Sequence, residues 1–377
     1  MHKTYKFRLY PTIEQENILL KTLEHCRYVY NTLLEWLNNQ KKPNRYVFQN
    51  RLSTLKKDHP ELNEVYSKTL QYEVYRLFYN LHGLSQSKKN HHNVGSLRFK
   101  SSNRFRTIHY NQSGFKIIET EKRFDRLHLS KIGDLPILIH RPVEGTVKQV
   151  VIKHYPSEKW YACIVVEQQN EIVKQPIQNA IGIDVGLNHF CSDSDGLQIE
   201  NPKYLDKSMK QLKRKQRNFS RKIKGSCNRN KHRISVARTH EFVQNQRNDF
   251  LQKLSRYYVN HYDLIAFEDL NIKNMVKNHH LARHISDASW NQFAKLLFCK
   301  AESAGKITVC VDPYGTSQEY KYGKLDRDYN ASINILQKGI EKIGLGWPKF
   351  TPVDIRPLQK ISASQVVESG IPIFHKG

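Results

Sequence analysis

Two apolar runs in this chain each end at a carboxylate, and that pattern constrains the fold more than any other feature. Ala180-Ile-Gly-Ile-Asp184 leads into Val-Gly, and Leu264-Ile-Ala-Phe-Glu268 leads into Asp-Leu. Short apolar runs bounded by polar or turn residues read as buried strands. Leu187–Ser192 and Lys306–Val311 are two further strand candidates. Helical stretches separate these runs: a basic tract from about Asn201 to Tyr258, and Ser289–Ala304. The latter puts Trp290, Phe293, Leu297 and Ala301 on one side, with Gly305 as its stop. Strands alternating with helices imply an α/β domain, here spanning 176–338 with its basic helices at 201–258.

Earlier in the chain the periodicity is different. Thr4–Tyr10 alternates at period two and reads as a strand that Pro11 and Thr12 end. Thr12 followed by Gln15 is a capping-box pattern, so a helix is expected to begin there, with Leu20, Leu23, Cys26, Tyr30, Leu33 and Leu37 recurring along it. A second amphipathic segment covers Val65–Leu81, and residues 11–100 read as a helical insertion. From about 105 to 170 the period returns to two. Phe115–Ile118, Leu127–Leu129, Ile137–Ile139, Val147–Ile152 and Trp160–Val166 are short β-rich runs. They predict a small β-barrel formed by 101–175 together with 1–10, a kind of sheet that can carry nucleic acid. Glu171–Gln178 reads as a linker. The tail 339–377 is expected to be extended or disordered.

Lys and Arg number 61 against 35 for Asp and Glu, a net charge of +26. Self-repulsion of that size is usually carried for a polyanionic partner. No stretch approaches the roughly 18–20 uninterrupted apolar residues of a membrane span, and MHKTYKFRLYPT lacks the apolar region of a secretory signal. A soluble cytoplasmic protein, nucleoid-associated in a prokaryote and without a membrane partner, is expected. The six cysteines at 26, 163, 191, 227, 299 and 310 form no CxxC pair, so they read as free thiols rather than metal ligands.

The acidic points carry the chemistry. Asp184 and Glu268 leave the sheet at strand ends, and Asp326-Arg-Asp328-Tyr-Asn330-Ala-Ser-Ile-Asn-Ile opens a helix. Such carboxylates are cheap to cluster only when a cation joins them. Three that converge from separate elements would make a hard oxygen site for Mg²⁺ or Mn²⁺, suited to phosphodiester hydrolysis. Solvated or helix-capping acids are the plain alternative.

Ala180–Gly186, Phe267–Lys273 and Asp326–Ile335 resemble the three RuvC motifs of the transposon-encoded TnpB proteins, relatives of the type V CRISPR effectors. The likeness extends to Tyr5–Thr12, to Trp290 through Thr316-Ser317-Gln318, and to Thr351–Asp354. It implies an α/β RuvC nuclease domain, ribonuclease H-like in fold, preceded by the small β-barrel with its helical insertion. The implied function is an RNA-guided DNA endonuclease of a transposable element. Its implied partners are a guide RNA derived from the transposon end and target double-stranded DNA. By motif, Asp184, Glu268 and Asp328 would be the catalytic and metal-binding residues, with Asp326 beside them not a ligand. One departure stands out: the family usually carries a CxxC…CxxC zinc ribbon after Thr-Ser-Gln, and here no cysteine lies between Gln318 and Asp326. No Zn²⁺ is expected, and a nuclease-weakened or inactive guide-directed DNA-binding regulator is the alternative function.

Residues 203–238 contain Lys210, Lys213, Arg214, Lys215, Arg217, Arg221, Lys222, Lys224, Arg229 and Arg233 among others, with Asp206 the only acid. Their number and single sign point to phosphate binding, and the resemblance implies contact with the guide–target duplex. Arg98, Lys100, Arg104 and Arg106 with Phe99 and Phe105 form a second candidate patch. The pairs His91-His92 and His279-His280 read as solvated loop residues.

Overall fold

The computed structural model describes residues 2–121, 123–168, 176–317, 326–344 and 357–368. The chain divides into two compact units, Met1–Asn170 and Glu171–Gly377.

The first unit runs β1 (His2–Leu9), α1 (Ile13–Asn38), α2 (Arg45–Asp58), α3 (Ser67–Lys89), β2 (Thr107–Asn111), β3 (Phe115–Ile118), β4 (Asp125–Leu129), β5 (Gly133–Leu138), β6 (Thr146–His154) and β7 (Trp160–Glu167). The capping box forms at the start of α1: Gln15 N–H donates to Thr12 Oγ1, and Thr12 N–H donates to Gln15 Oε1. The seven strands lie in the order β2-β6-β7-β1-β5-β4-β3, every pair antiparallel. β2 and β3 stand at opposite ends of that order, yet only three residues join them. So short a connection requires the sheet to curl until its ends are close, giving a nearly closed barrel.

The helical residues and the barrel share one core. Leu19, Leu33, Phe48, Leu70 and Leu77 are buried in the same cluster as Phe7, Leu135, Ile152 and Trp160. The insertion is therefore joined to the barrel in one unit and is not a separate domain. α2 went unread in the sequence because Phe48, Leu52 and Leu55 are its only buried residues amid a polar surround.

The second unit runs β8 (Ala180–Val185), β9 (His189–Asp193), β10 (Leu197–Glu200), α4 (Tyr204–Ser220), α5 (Cys227–His261), β11 (Leu264–Glu268), α6 (Ile272–Met275), α7 (Ala282–Ala288), α8 (Trp290–Ser303), β12 (Ile307–Val311), α9 (Arg327–Lys342), β13 (Gln359–Ile361) and α10 (Ala363–Glu368). Its sheet has the order β12-β11-β8-β9-β10-β13. β8, β11 and β12 are mutually parallel, whereas β9 is antiparallel to both β8 and β10. One set of apolar residues packs Phe250, Leu254, Tyr258, Phe293 and Leu297 against the sheet, and a second gathers Ala266, Val309, Ile335 and Ile340.

The basic helices of 201–258 are α4 and α5, and the second half of α5 enters the core through Phe250, Leu251, Leu254 and Tyr258. Two expectations change here. α9 continues past 338 to Lys342. The tail is also not wholly extended: β13 pairs parallel to β10, with Ile361 and Val366 buried, so residues beyond 339 complete this sheet. The linker residues 171–175 and the tail residues 345–356 and 369–377 lie outside the described residues.

Candidate functional site

The β8 and β11 ladders bring two of the acids together. Ile183 lies opposite Phe267 in the parallel register, so Asp184 and Glu268 stand one step further along neighbouring strands. Side chains on a strand alternate faces. A Cβ on Gly182 would meet Ser332 O at 2.1 Å and Leu336 N at 2.6 Å, while one on Gly339 would lie 2.5 Å from the Ala266 Cβ. Gly182 and Ala266 therefore face α9, and so do Asp184 and Glu268, each two residues on. Two glycines let helix and sheet approach this closely, and the approach carries the first turn of α9 to the acids.

That first turn separates the roles of the two aspartates. Asp326 is the N-cap: its side chain accepts from the Asp328 and Tyr329 N–H groups and, at 3.0 Å, from Gln198 Nε2 of β10. All three bonds fall on Oδ1, which is thus engaged in holding the helix start. Asp328 sits within the turn, half-buried, with Oδ2 3.9 Å from His189 Nδ1.

Glu268 and Asp328 both bear electrostatically on Asp184. Burial pushes the Asp184 carboxyl up to about 7, and the charges of Glu268 and Asp328 push the same way. Burial also raises Glu268, opposed by the hydrogen bond from Thr316 and the charge of Lys338. Such a set has the oxygen donors that a hard divalent cation takes, together with a buried repulsion that a cation would relieve. As the side chains stand, no three His, Cys, Asp or Glu groups among the described residues are gathered at ligand distances. The donor chemistry of the three carboxylates fits a hard divalent ion. The segment 318–325, where the zinc ribbon was expected to be missing, lies outside the described residues.

The basic residues divide. Lys210, Lys213, Arg214, Arg217, Arg221, Lys222 and Lys224 are exposed along α4 and the turn after it. Lys215, Arg229 and Arg233 are half-buried and have partners inside the protein. Lys215 Nζ donates to Thr239 Oγ1 at 2.7 Å, and Arg233 Nε donates to Asn230 Oδ1 at 2.9 Å. Arg229 donates to the Phe219 and Lys222 carbonyls and lies over the Phe219 ring, closing the C-terminal end of α4. Helix ends leave carbonyls without intrahelical partners, and a cation is a favourable cap there. Arg229 thus serves the helical hairpin, which a count of charges could not reveal.

In the second patch, Phe105 is buried beneath Arg76, whereas Phe99, Arg98 and Arg104 are exposed. Both histidine pairs are exposed. All six cysteines are free, with Cys26, Cys163 and Cys191 buried. Among the described residues no helix is long and apolar enough to cross a membrane.

Sequence reasoning missed Thr316, whose hydroxyl lies 2.6 Å from Glu268 Oε1, and Gln198, which is almost fully buried against Asp326. Thr316 sat in a motif already singled out. Gln198 had no signal, because Leu-Gln-Ile-Glu is too short to read as a buried strand.

Comparison with known proteins places this geometry in a family. A family model described as "Probable transposase" matches residues 163–279, which include Asp184 and Glu268. One described as "Helix-turn-helix domain" matches 1–42, the stretch that here forms β1 and α1. A protein of Streptomyces pristinaespiralis is 32% identical over 91% of both chains, and one of Escherichia coli K12 is 27% identical over 85% of this chain and 83% of its own. Both carry the name "Putative RNA-guided DNA endonuclease", the second with the addition InsQ. A solved Cas12f1–sgRNA–target DNA complex aligns with 89% of this chain and 98% of its own at 12% identity and a TM-score of 0.48, too low to bear on the fold. Aligned with the Streptomyces pristinaespiralis protein over nine-tenths of its length at 32% identity, and carrying the three acidic motifs in order, the chain belongs to the TnpB family of transposon-encoded proteins.

Proposed function

We propose that this protein is an RNA-guided DNA endonuclease of a transposable element, cutting at Asp184, Glu268 and Asp328 in a RuvC-like, ribonuclease H-like domain. The observation that carries the reading is the register of β8 and β11. It sets Asp184 beside Glu268 at the ends of parallel strands, on the face to which α9 brings Asp328. The names of the two relatives supply the guide RNA and the DNA substrate of the proposal.

The three carboxylates would hold Mg²⁺ or Mn²⁺, which supplies positive charge to an attacking water and to the leaving oxygen. The protein's own groups do the rest. Asp184 is kept on the rigid end of a buried strand, so its oxygens lose little entropy on closing. Lys338 and Arg327 offset part of the acidic charge at Glu268 and Asp184 respectively. The exposed cations Lys210, Lys213, Arg214, Arg217, Arg221, Lys222 and Lys224 form a phosphate-binding track along α4 and the turn after it, recognising a duplex backbone and leaving sequence to base pairing. The RNA is proposed to derive from the transposon end.

The test is cleavage of a matched plasmid in Mg²⁺ by protein co-expressed with its flanking RNA, alongside Asp184→Ala. Guide-dependent breaks that the substitution abolishes are expected; equal cutting by both proteins would exclude the site. The competing reading, a guide-directed DNA-binding regulator, rests on the cysteine-free stretch between Gln318 and Asp326. It requires guide-dependent retention of target DNA without nicks in the wild-type protein.

A further inference from the structure

Helix α9 grips the end of β12 and the segment that follows it at three successive levels. Asn334 Nδ2 donates to Thr316 O at 2.8 Å, Lys338 Nζ to Tyr314 O, and Lys342 Nζ to Cys310 O at 2.8 Å. The donors are four residues apart and so share one helix face, while the carbonyls run the opposite way along 310–316. Helix and segment are tied along their length. Both Thr316 and Asn334 are buried, at 3% and 4% exposure.

Within that clamp the Thr316 hydroxyl lies 2.6 Å from Glu268 Oε1 and 2.9 Å from Pro313 O. A hydroxyl has one proton to donate. The contact to Glu268 is the shorter of the two, so the proton goes to Glu268. The bond engages Oε1, fixes the plane of the carboxylate and leaves Oε2 outside it.

We propose that Thr316 is a positioning residue for Glu268, its hydroxyl setting the carboxylate orientation that takes a divalent cation. Because the same helix carries Asp328 in its first turn, α9 registers two of the three acids as one body. The inference rests on the reading of Asp184, Glu268 and Asp328 as the cleavage site, and the experiment separates the two.

The full chain with its copurified RNA is melted at increasing Mn²⁺, the metal alone and without target DNA. The readout is the Mn²⁺ concentration that gives half of the full rise in melting temperature. Groups that orient a metal ligand typically control about 10–100-fold of metal affinity. Thr316→Val should therefore raise that concentration about tenfold or more and lower the cleavage rate in parallel, while Thr316→Ser should restore both to within about threefold. Glu268→Gln serves as the control for the site itself. If Glu268→Gln abolishes the Mn²⁺ response and Thr316→Val leaves it at the wild-type value, the positioning role is wrong and the site stands. If Glu268→Gln also responds like wild type, the site reading falls with it. Equal impairment of the Val and Ser variants would overturn the role of the hydroxyl. Should Thr316→Val fail to fold, Thr316→Ala against Thr316→Ser makes the same comparison.

Discussion

Asp184→Asn isolates the electrostatic strain that three neighbouring acids place on the sheet. In the folded protein the Asp184 carboxyl is pushed up to about 7 from an ordinary 3.8, first by burial and then by Glu268 and Asp328. A raised carboxyl holds its proton in the folded state after the unfolded chain has released it. Stability of the wild-type protein therefore falls as pH rises from about 3.8 to about 7, and the loss is complete above that window. Asparagine cannot ionise and escapes this loss, while its own burial cost does not change with pH. The stability difference between variant and wild type should consequently widen by about 2–3 kcal/mol between pH 5 and pH 8, at about 1.4 kcal/mol per tenfold in proton affinity. For a unit of this size that is a widening of about 5–10 °C in melting temperature. The assay is a pair of thermal melts in excess EDTA at each pH, repeated at pH 8 with Mg²⁺, which should narrow the gap by stabilising only the wild type. A gap that stays constant from pH 5 to pH 8 in EDTA would refute the reasoning.

Gly182→Ala should cost about 3 kcal/mol or displace α9, since its methyl meets backbone atoms that cannot swing away; a melting temperature within a degree of wild type would mean that helix and sheet are less tightly packed. Alanine at each of Lys210, Lys213 and Arg217 should flatten the slope of log RNA affinity against log salt by about one unit with stability unchanged. Arg229→Ala should instead lower stability by about 1 kcal/mol through loss of its contacts at the end of α4, measured by urea unfolding. The neighbouring aspartates should also part company. Asp328→Asn removes cleavage, whereas Asp326→Asn, which keeps an N-cap oxygen, retains most of it; equal loss in both would erase the distinction drawn from their hydrogen bonds.

Sequence alone determined the elements whose apolar run is bounded by something that cannot stay in a core. β8 and β11 were legible because a carboxylate stands at or next to the end of each run, and the start of α1 because Thr12 and Gln15 satisfy each other's backbone. The same boundaries named Asp184 and Glu268, and the order of the three motifs named Asp328. What escaped depended on partners distant in the chain. β10 buries Gln198 because an amide can meet the N-cap of a helix 128 residues later. β13 exists only because β10 offers an edge, and α2 only because its thin apolar stripe closes the core of the first unit. The charge run at 203–238 looked uniform, yet Lys215, Arg229 and Arg233 turn inward to neighbouring groups while the others face solvent. Local pattern can report which residues leave a buried strand. Only the folded chain decides that Thr316 meets Glu268 across 48 residues, because a hydrogen bond selects by distance in space and not by spacing in sequence.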